Sequence, residues 1–150
     1  MTDTSTGGGL GYTMMKAAQV WRSEVGIALR SSDLTVPQFF VLMALYRPAR
    51  HGWEAPRQSE VGLRLGTDAN TTSQIVRALE ARGLLTRLPH PHDRRARAIS
   101  LTDSGFDLAR DASAIVRGIN DLFFGVIAPG QQGALNEILK TLTAQSEERT

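Results

Sequence analysis

The chain has 150 residues and no cysteine, so it is long enough for one domain with an ordinary core, and a disulfide framework, a thiolate metal site and a cysteine redox switch are excluded. Its 41% hydrophobic content lies far above that of disordered chains. The net charge of +2 divides as +1 over residues 1–56 (five basic, four acidic), +4 over 57–100 (eight and four) and −3 over 101–150 (four and seven), so the middle third is either a local anion-binding surface or a solvated face.

Residues 1–9, M-T-D-T-S-T-G-G-G, read as a disordered tail with no basic region and no apolar signal core, so a cytoplasmic location off the membrane is expected. Met14, Ala18, Trp21, Val25 and Ala28 then mark one face of a first helix. Thr35 and Gln38 fit a capping box opening a second helix, with Phe39, Leu42, Met43 and Tyr46 inward. The apolar run of this helix, residues 39–46, is too short to span a bilayer. Pro48 is expected to stop it, leaving a loop over 48–56 that holds His51, Gly52, Trp53 and Pro56. A short helix over 57–65 buries Val61, Gly62 and Leu65. Gly66-Thr-Asp68 is a turn, Asp68 caps a fourth helix over 68–82, and Gly83 ends it. Leu84 to Leu88 and Ala96 to Leu101 are strand-like and flank P-H-P-H-D-R-R. Thr102 caps a long fifth helix with Asp103 in its first turn. Its seam of Leu108, Ala112, Ile115, Ile119, Leu122 and Val126 is of the kind that meets another helix. Pro129 starts a sixth helix with Leu135, Ile138, Leu139 and Leu142 inward. The fold class is mainly α with a small β hairpin (α+β).

The fourth helix has an unusual exposed face. On a wheel of about 100° per residue with Thr72 at zero, Val76, Leu79 and Ile75 lie on its side, while Asn70, Arg77 and Gln74 lie opposite and Ser73 at the edge. A merely solvated face favours Glu and Lys, which form helix better than Asn, Thr and Ser. Short amide and hydroxyl groups plus one guanidinium suit base edges instead, concentrated toward the end that a recognition helix points into the major groove. Downstream, Arg94, Arg95 and Arg97 sit at a hairpin tip, where guanidinium groups cannot be core. Beside a recognition helix such a tip reaches the minor groove, and Asp93 braces a wing arginine. Helix, arginine-tipped hairpin, then long helix is the order of a winged helix-turn-helix.

His90 and His92 flank Pro91, with Asp93 adjacent and His51 distant; a polar turn accounts for them better than zinc, and no metal or cofactor is expected. No G-x-S-x-G, P-loop or H-E-x-x-H occurs, so no enzyme is expected. The competing function is a winged helix used for protein–protein contact or as a non-specific architectural DNA binder. The former would expose apolar anchors on the fourth helix and the latter more Lys.

Four segments carry a resemblance: L-T-V-P-Q-F at 34–39, R-Q-S-E-V-G-L-R-L-G at 57–66, T-S-Q-I-V-R-A-L-E-A-R-G-L-L at 72–85, and D-R-R-A-R-A-I-S-L-T-D-S-G at 93–105. In this order and spacing the chain resembles the MarR (multiple antibiotic resistance regulator) family of winged-helix transcription regulators, over about residues 12–145. The resemblance implies a homodimeric repressor on a pseudo-palindromic duplex, with a helical dimerisation base at 10–33 and 102–150 and a DNA-binding lobe at 34–101. It implies that Asn70, Thr71, Ser73, Gln74 and Arg77 face the major groove and that Arg94, Arg95 and Arg97 form the wing. It also implies release by a small aromatic or phenolic effector, for which Met14, Trp21, Phe39, Phe40, Met43, Tyr46 and Trp53 are pocket candidates. Two positions depart from the family pattern: Arg57 stands where a small capping residue is common, and Thr72 where an aliphatic one is.

Overall fold

The computed structural model describes residues 8–147, and the chain divides at Val116 and Arg117 into two compact units. In the first, α1 (Gly8–Leu29) begins inside the expected tail, so disorder does not hold at Gly8 and Gly9; residues 1–7 lie outside the described residues. Glycine is a poor helix former, but the first turn has no intrahelical N–H bonds to lose. Only the C-terminal end of the expected α1 face is covered: Val25 is buried, Trp21 and Ala28 are half-buried, and Met14 and Ala18 are exposed; Leu29, outside that set, is buried as well.

α2 (Val36–His51) starts at the capping box: Gln38 N–H donates to Thr35 Oγ1 at 3.3 Å and Thr35 N–H to Gln38 Oε1 at 3.0 Å. Pro48 does not stop it. The proline ring is buried in the last turn, and its burial outweighs the one backbone bond it cannot make. The helix ends at Gly52, φ +67°, where the Gly52 and Trp53 N–H groups turn back onto Ala49 and Pro48 carbonyls.

α3 (Gln58–Leu65) buries Val61 and Gly62, with Leu65 half-buried. Gly66–Asp68 turns the chain into α4 (Ala69–Ala81), which buries Thr72, Val76 and Leu79. Gly62 permits the close crossing of α3 and α4, because a Cβ there would meet Thr72 Oγ1 at 2.7 Å. The buried Thr72 hydroxyl donates to the Asp68 carbonyl at 2.8 Å and accepts from Thr67 at 2.7 Å, which explains a threonine where aliphatic side chains are usual. At the other end, Arg82 donates to the Asp33 carbonyl at 2.6 Å, tying α4 to the elbow between α1 and α2.

Asp68 caps α4. Its carboxylate accepts the Thr71 N–H at 2.7 Å and the Thr71 hydroxyl at 2.9 Å, and these bonds hold its pKa below the ordinary 3.8. A carboxylate depressed on folding stabilises the native state above its unfolded value and loses that effect as pH falls through the folded one. Asp68→Ala should therefore lower the melting temperature at neutral pH, and the gap to wild type should shrink as pH falls below 3.8. Circular dichroism melts across that range measure it; a gap independent of pH would contradict the cap.

β1 (Leu85–His90) and β2 (Asp93–Leu101) form the antiparallel hairpin, in register from Leu85↔Leu101 to Pro89↔Arg97 and then His90↔Asp93. Between the last two pairs β1 advances one residue (89 to 90) and β2 four (97 to 93), so Arg94 to Ala96 bulge out unpaired. The expected arginine tip is corrected accordingly: the turn itself is Pro91-His92, and the arginines stand on β2 beside it. Pro89, lacking an N–H, ends the regular ladder.

α5 (Asp103–Phe124) begins at Thr102, whose Oγ1 accepts the Gly105 N–H at 3.0 Å and donates to the Gly83 carbonyl at 2.6 Å. Its buried stripe is Gly105, Ala109, Ala112 and Val116, roughly 70° round from the expected seam. Of that seam only Ala112 is buried. Leu108, Ile115 and Ile119 are half-buried, Leu122 is 76% exposed and Val126 lies past the helix end. The rotation follows from Gly105, which seats the first turn against the Leu84 carbonyl.

In the second unit, Gln132 donates to the Phe124 and Ile127 carbonyls at 2.9 and 3.2 Å, closing the turn into α6 (Pro129–Glu147). Leu135, Ile138, Leu139 and Leu142 share one α6 face but are exposed in the single chain rather than inward. Among the described residues, no single helix is long and apolar enough to cross a membrane.

Candidate nucleic-acid interface

α4 and the hairpin share one side of the lobe. On α4, Asn70, Gln74 and Arg77 are exposed and Ser73 is half-buried, and none of these side chains has a hydrogen bond or ion pair among the described residues. Thr71 differs: its hydroxyl donates to Asp68, so it serves the cap and offers only its acceptor lone pairs outward. Arg94, Arg95 and Arg97 are exposed, with no carboxylate within 4.0 Å among the described residues. Asp93 braces the Arg95 main-chain N–H, at 3.0 Å, rather than a guanidinium.

The hairpin is tied to α4 by Glu80, which takes Arg87 Nε at 3.2 Å and Nη2 at 2.9 Å. That bidentate pair lowers the Glu80 pKa. It is tied to α3 by the Arg57–Ala98 bridge and by Ile99 N–H donating to the Pro56 carbonyl at 3.0 Å. On the other flank, the His92 N–H donates to His90 Nδ1 at 3.1 Å, and both Nε2 atoms face Glu54 Oε1, at 3.7 and 3.6 Å. The histidines therefore join the hairpin turn to the α2–α3 loop. Among the described residues no three metal-ligating side chains are arranged to hold an ion.

The seven pocket candidates do not all converge. Trp21 and Phe40 line a groove of about 430 Å³, shared with Arg22, Val36, Arg64 and Ile75. Phe39 is buried in the core, Tyr46 packs on Phe106 at 4.9 Å between centroids, and Trp53 stacks on His51 at the edge of a different groove. Met14 is exposed on α1, and Met43 is half-buried on α2. Sequence reasoning missed Arg22 and Arg64; their signal was slight, since both arginines lie on otherwise polar faces.

A helix-turn-helix whose second helix exposes unpaired amide and guanidinium groups, followed by a hairpin with unpaired arginines, defines a winged helix-turn-helix DNA-binding protein. A family model described as the MarR family matches residues 32–96. An HTH-type transcriptional regulator of Bacillus subtilis (strain 168), YdcH, is 33% identical over 132 residues, covering 87% of this chain and 89% of that relative. The structure of a MarR-family regulator from Rhodococcus sp. RHA1 superposes with a TM-score of 0.83 at 25% identity, over 93% of this chain and 96% of that one. CouR from Rhodococcus jostii RHA1, bound to p-coumaroyl-CoA, gives 0.81 at 27%, over 89% and 90%. CouR, a transcriptional repressor, bound to a 23-mer DNA duplex gives 0.79 at 27%, over 89% and 92%. The chain belongs to the MarR family of transcription regulators and is a DNA-binding regulator.

Proposed function

We propose that the protein is a homodimeric repressor of bacterial transcription, working in the cytoplasm on a pseudo-palindromic operator and released by a small anionic aromatic compound. The observation that carries the DNA reading is the unpaired α4 face of Asn70, Ser73, Gln74 and Arg77, flanked by unpaired wing arginines. In this proposal α4 enters the major groove with Arg77 on a guanine edge, and Arg94, Arg95 and Arg97 meet the adjoining minor groove. The lobe is residues 34–101, and the base is residues 10–33 together with the helices after 102. Exposed apolar side chains on α1, such as Leu10 and Met14, and on α6 support a second copy as their cover. The absence of apolar anchors on the exposed α4 face weighs against a protein-contact role.

The effector assignment rests on the Trp21 groove. Its wall is apolar and aromatic, and Arg22 and Arg64 stand at it, so a flat apolar ligand bearing a carboxylate or phosphate fits its chemistry. CouR, which binds an aromatic acyl-CoA thioester, is a structural relative with that class of ligand. Genomic footprinting with and without aromatic carboxylates tests both parts together. Protected pseudo-palindromes that vanish on ligand addition are expected; protection without sequence preference would replace the regulator by an architectural binder.

A further inference from the structure

Arg57 stands at the position where a Ser, Thr, Asp or Asn would cap α3, and its side chain makes no cap bond. Glu60 is spaced to pair with its guanidinium, yet the Glu60 carboxylate accepts the Arg57 main-chain N–H, at 2.8 Å. The Arg57 guanidinium is left without a carboxylate within 4.0 Å among the described residues. Its backbone is fixed by the bridge to Ala98, so the side chain is held at a groove of about 500 Å³ between α3 and β2. Gln58, Ser59, Arg87, Arg95 and Arg97 line the same groove, and Ala69 and Thr72 make it continuous with α4. Asp93 is the one carboxylate in this lining, and it keeps its charge while accepting the Arg95 N–H. Glu80 takes Arg87 in a bidentate pair and also attracts Arg97 from further off. The four guanidiniums still outnumber these two carboxylates, and Arg57, Arg95 and Arg97 have no carboxylate within 4.0 Å among the described residues, so the groove carries an excess of positive charge that favours a polyanion.

We infer that this groove seats one strand of the DNA sugar-phosphate backbone, and that Arg57 contacts a phosphate there beside Arg95 and Arg97. The inference rests on the DNA-binding reading above and adds to it an affinity-setting residue ahead of α3. Phosphate contacts carry no sequence information, so Arg57 sets affinity on any duplex while α4 sets preference.

Arg57→Ser separates the contact from the fold, because serine is itself a good cap and the melting temperature should hold or rise. Affinity is measured across a range of salt on two duplexes: one that the wild-type protein selects from a random-sequence library, and a shuffled duplex of the same composition. Arg57→Ser should weaken both by the same factor and shrink the slope of log K on log salt by about one. Arg77→Ala should weaken only the selected duplex, by about ten- to a hundred-fold. Unchanged affinity and slope in Arg57→Ser overturns the inference. So does a loss confined to the selected duplex, which would make Arg57 a base reader. If the wild-type protein selects no duplex, the sequence-specific reading itself fails, and that is seen before any variant is compared.

Discussion

Ile138→Glu is expected to halve the solution mass and abolish operator binding while each chain stays folded. Ile138 is 57% exposed in the single chain, so a carboxylate there meets water and leaves the protomer intact. In the proposed dimer the same carboxylate is buried without a partner, and the cost is several kcal/mol, on the order of that for any unpaired buried charge. Leu135, Leu139 and Leu142 share its face, so the substitution falls in the middle of the apolar strip. Operator binding suffers more than the protein contact. With two lobes linked, the second lobe binds at high effective concentration, and separating them forfeits roughly 10²–10⁴ in avidity. Sedimentation equilibrium beside far-UV circular dichroism distinguishes dissociation from unfolding. A variant of unchanged mass would show that α6 is covered by something other than a second copy.

Gly105→Ala should destabilise the lobe by about 3 kcal/mol or more, a large part of the roughly 5–15 kcal/mol that holds a domain folded. An added Cβ would overlap the Leu84 carbonyl oxygen, a backbone atom that cannot swing aside. That oxygen also accepts the Thr102 N–H at 3.1 Å, and Thr102 Oγ1 binds both Gly83 and Gly105, so a shift to relieve the overlap breaks the cap of α5. The expected result in urea is a fall in the midpoint at an unchanged slope. A midpoint equal to wild type would mean that α5 does not approach the turn between α4 and β1 this closely.

Local chemistry made much of the fold legible. The Thr35 capping box, the Asp68 cap and the Thr102 cap are each satisfied within a few residues, so no distant group was needed to place α2, α4 or α5. The buried face of α4 was legible for the same reason, since Thr72, Val76 and Leu79 follow the helical period whatever they face. Pro48 misled because a local penalty was outweighed by burial of its ring. The α5 seam is only partly covered in the single chain, because periodicity reports a stripe but not which neighbour it meets.

By itself, then, the sequence determined the order of helices, the caps that start them, the polar composition of the α4 face and the concentration of arginine beyond it. These depend on side chains and backbone groups close together along the chain. Only the tertiary structure decided which charges are spent and which are free. Glu80 neutralises Arg87 across seven residues, while Glu60 turns to a main-chain N–H and leaves the Arg57 guanidinium unpaired. It alone brought Arg57 beside Arg95 and Arg97, and Trp21 beside Phe40 and Arg64. Such meetings depend on how α3 crosses α4 and on a four-for-one slip in the β2 register, and neither distance nor register is encoded in the period of any single element.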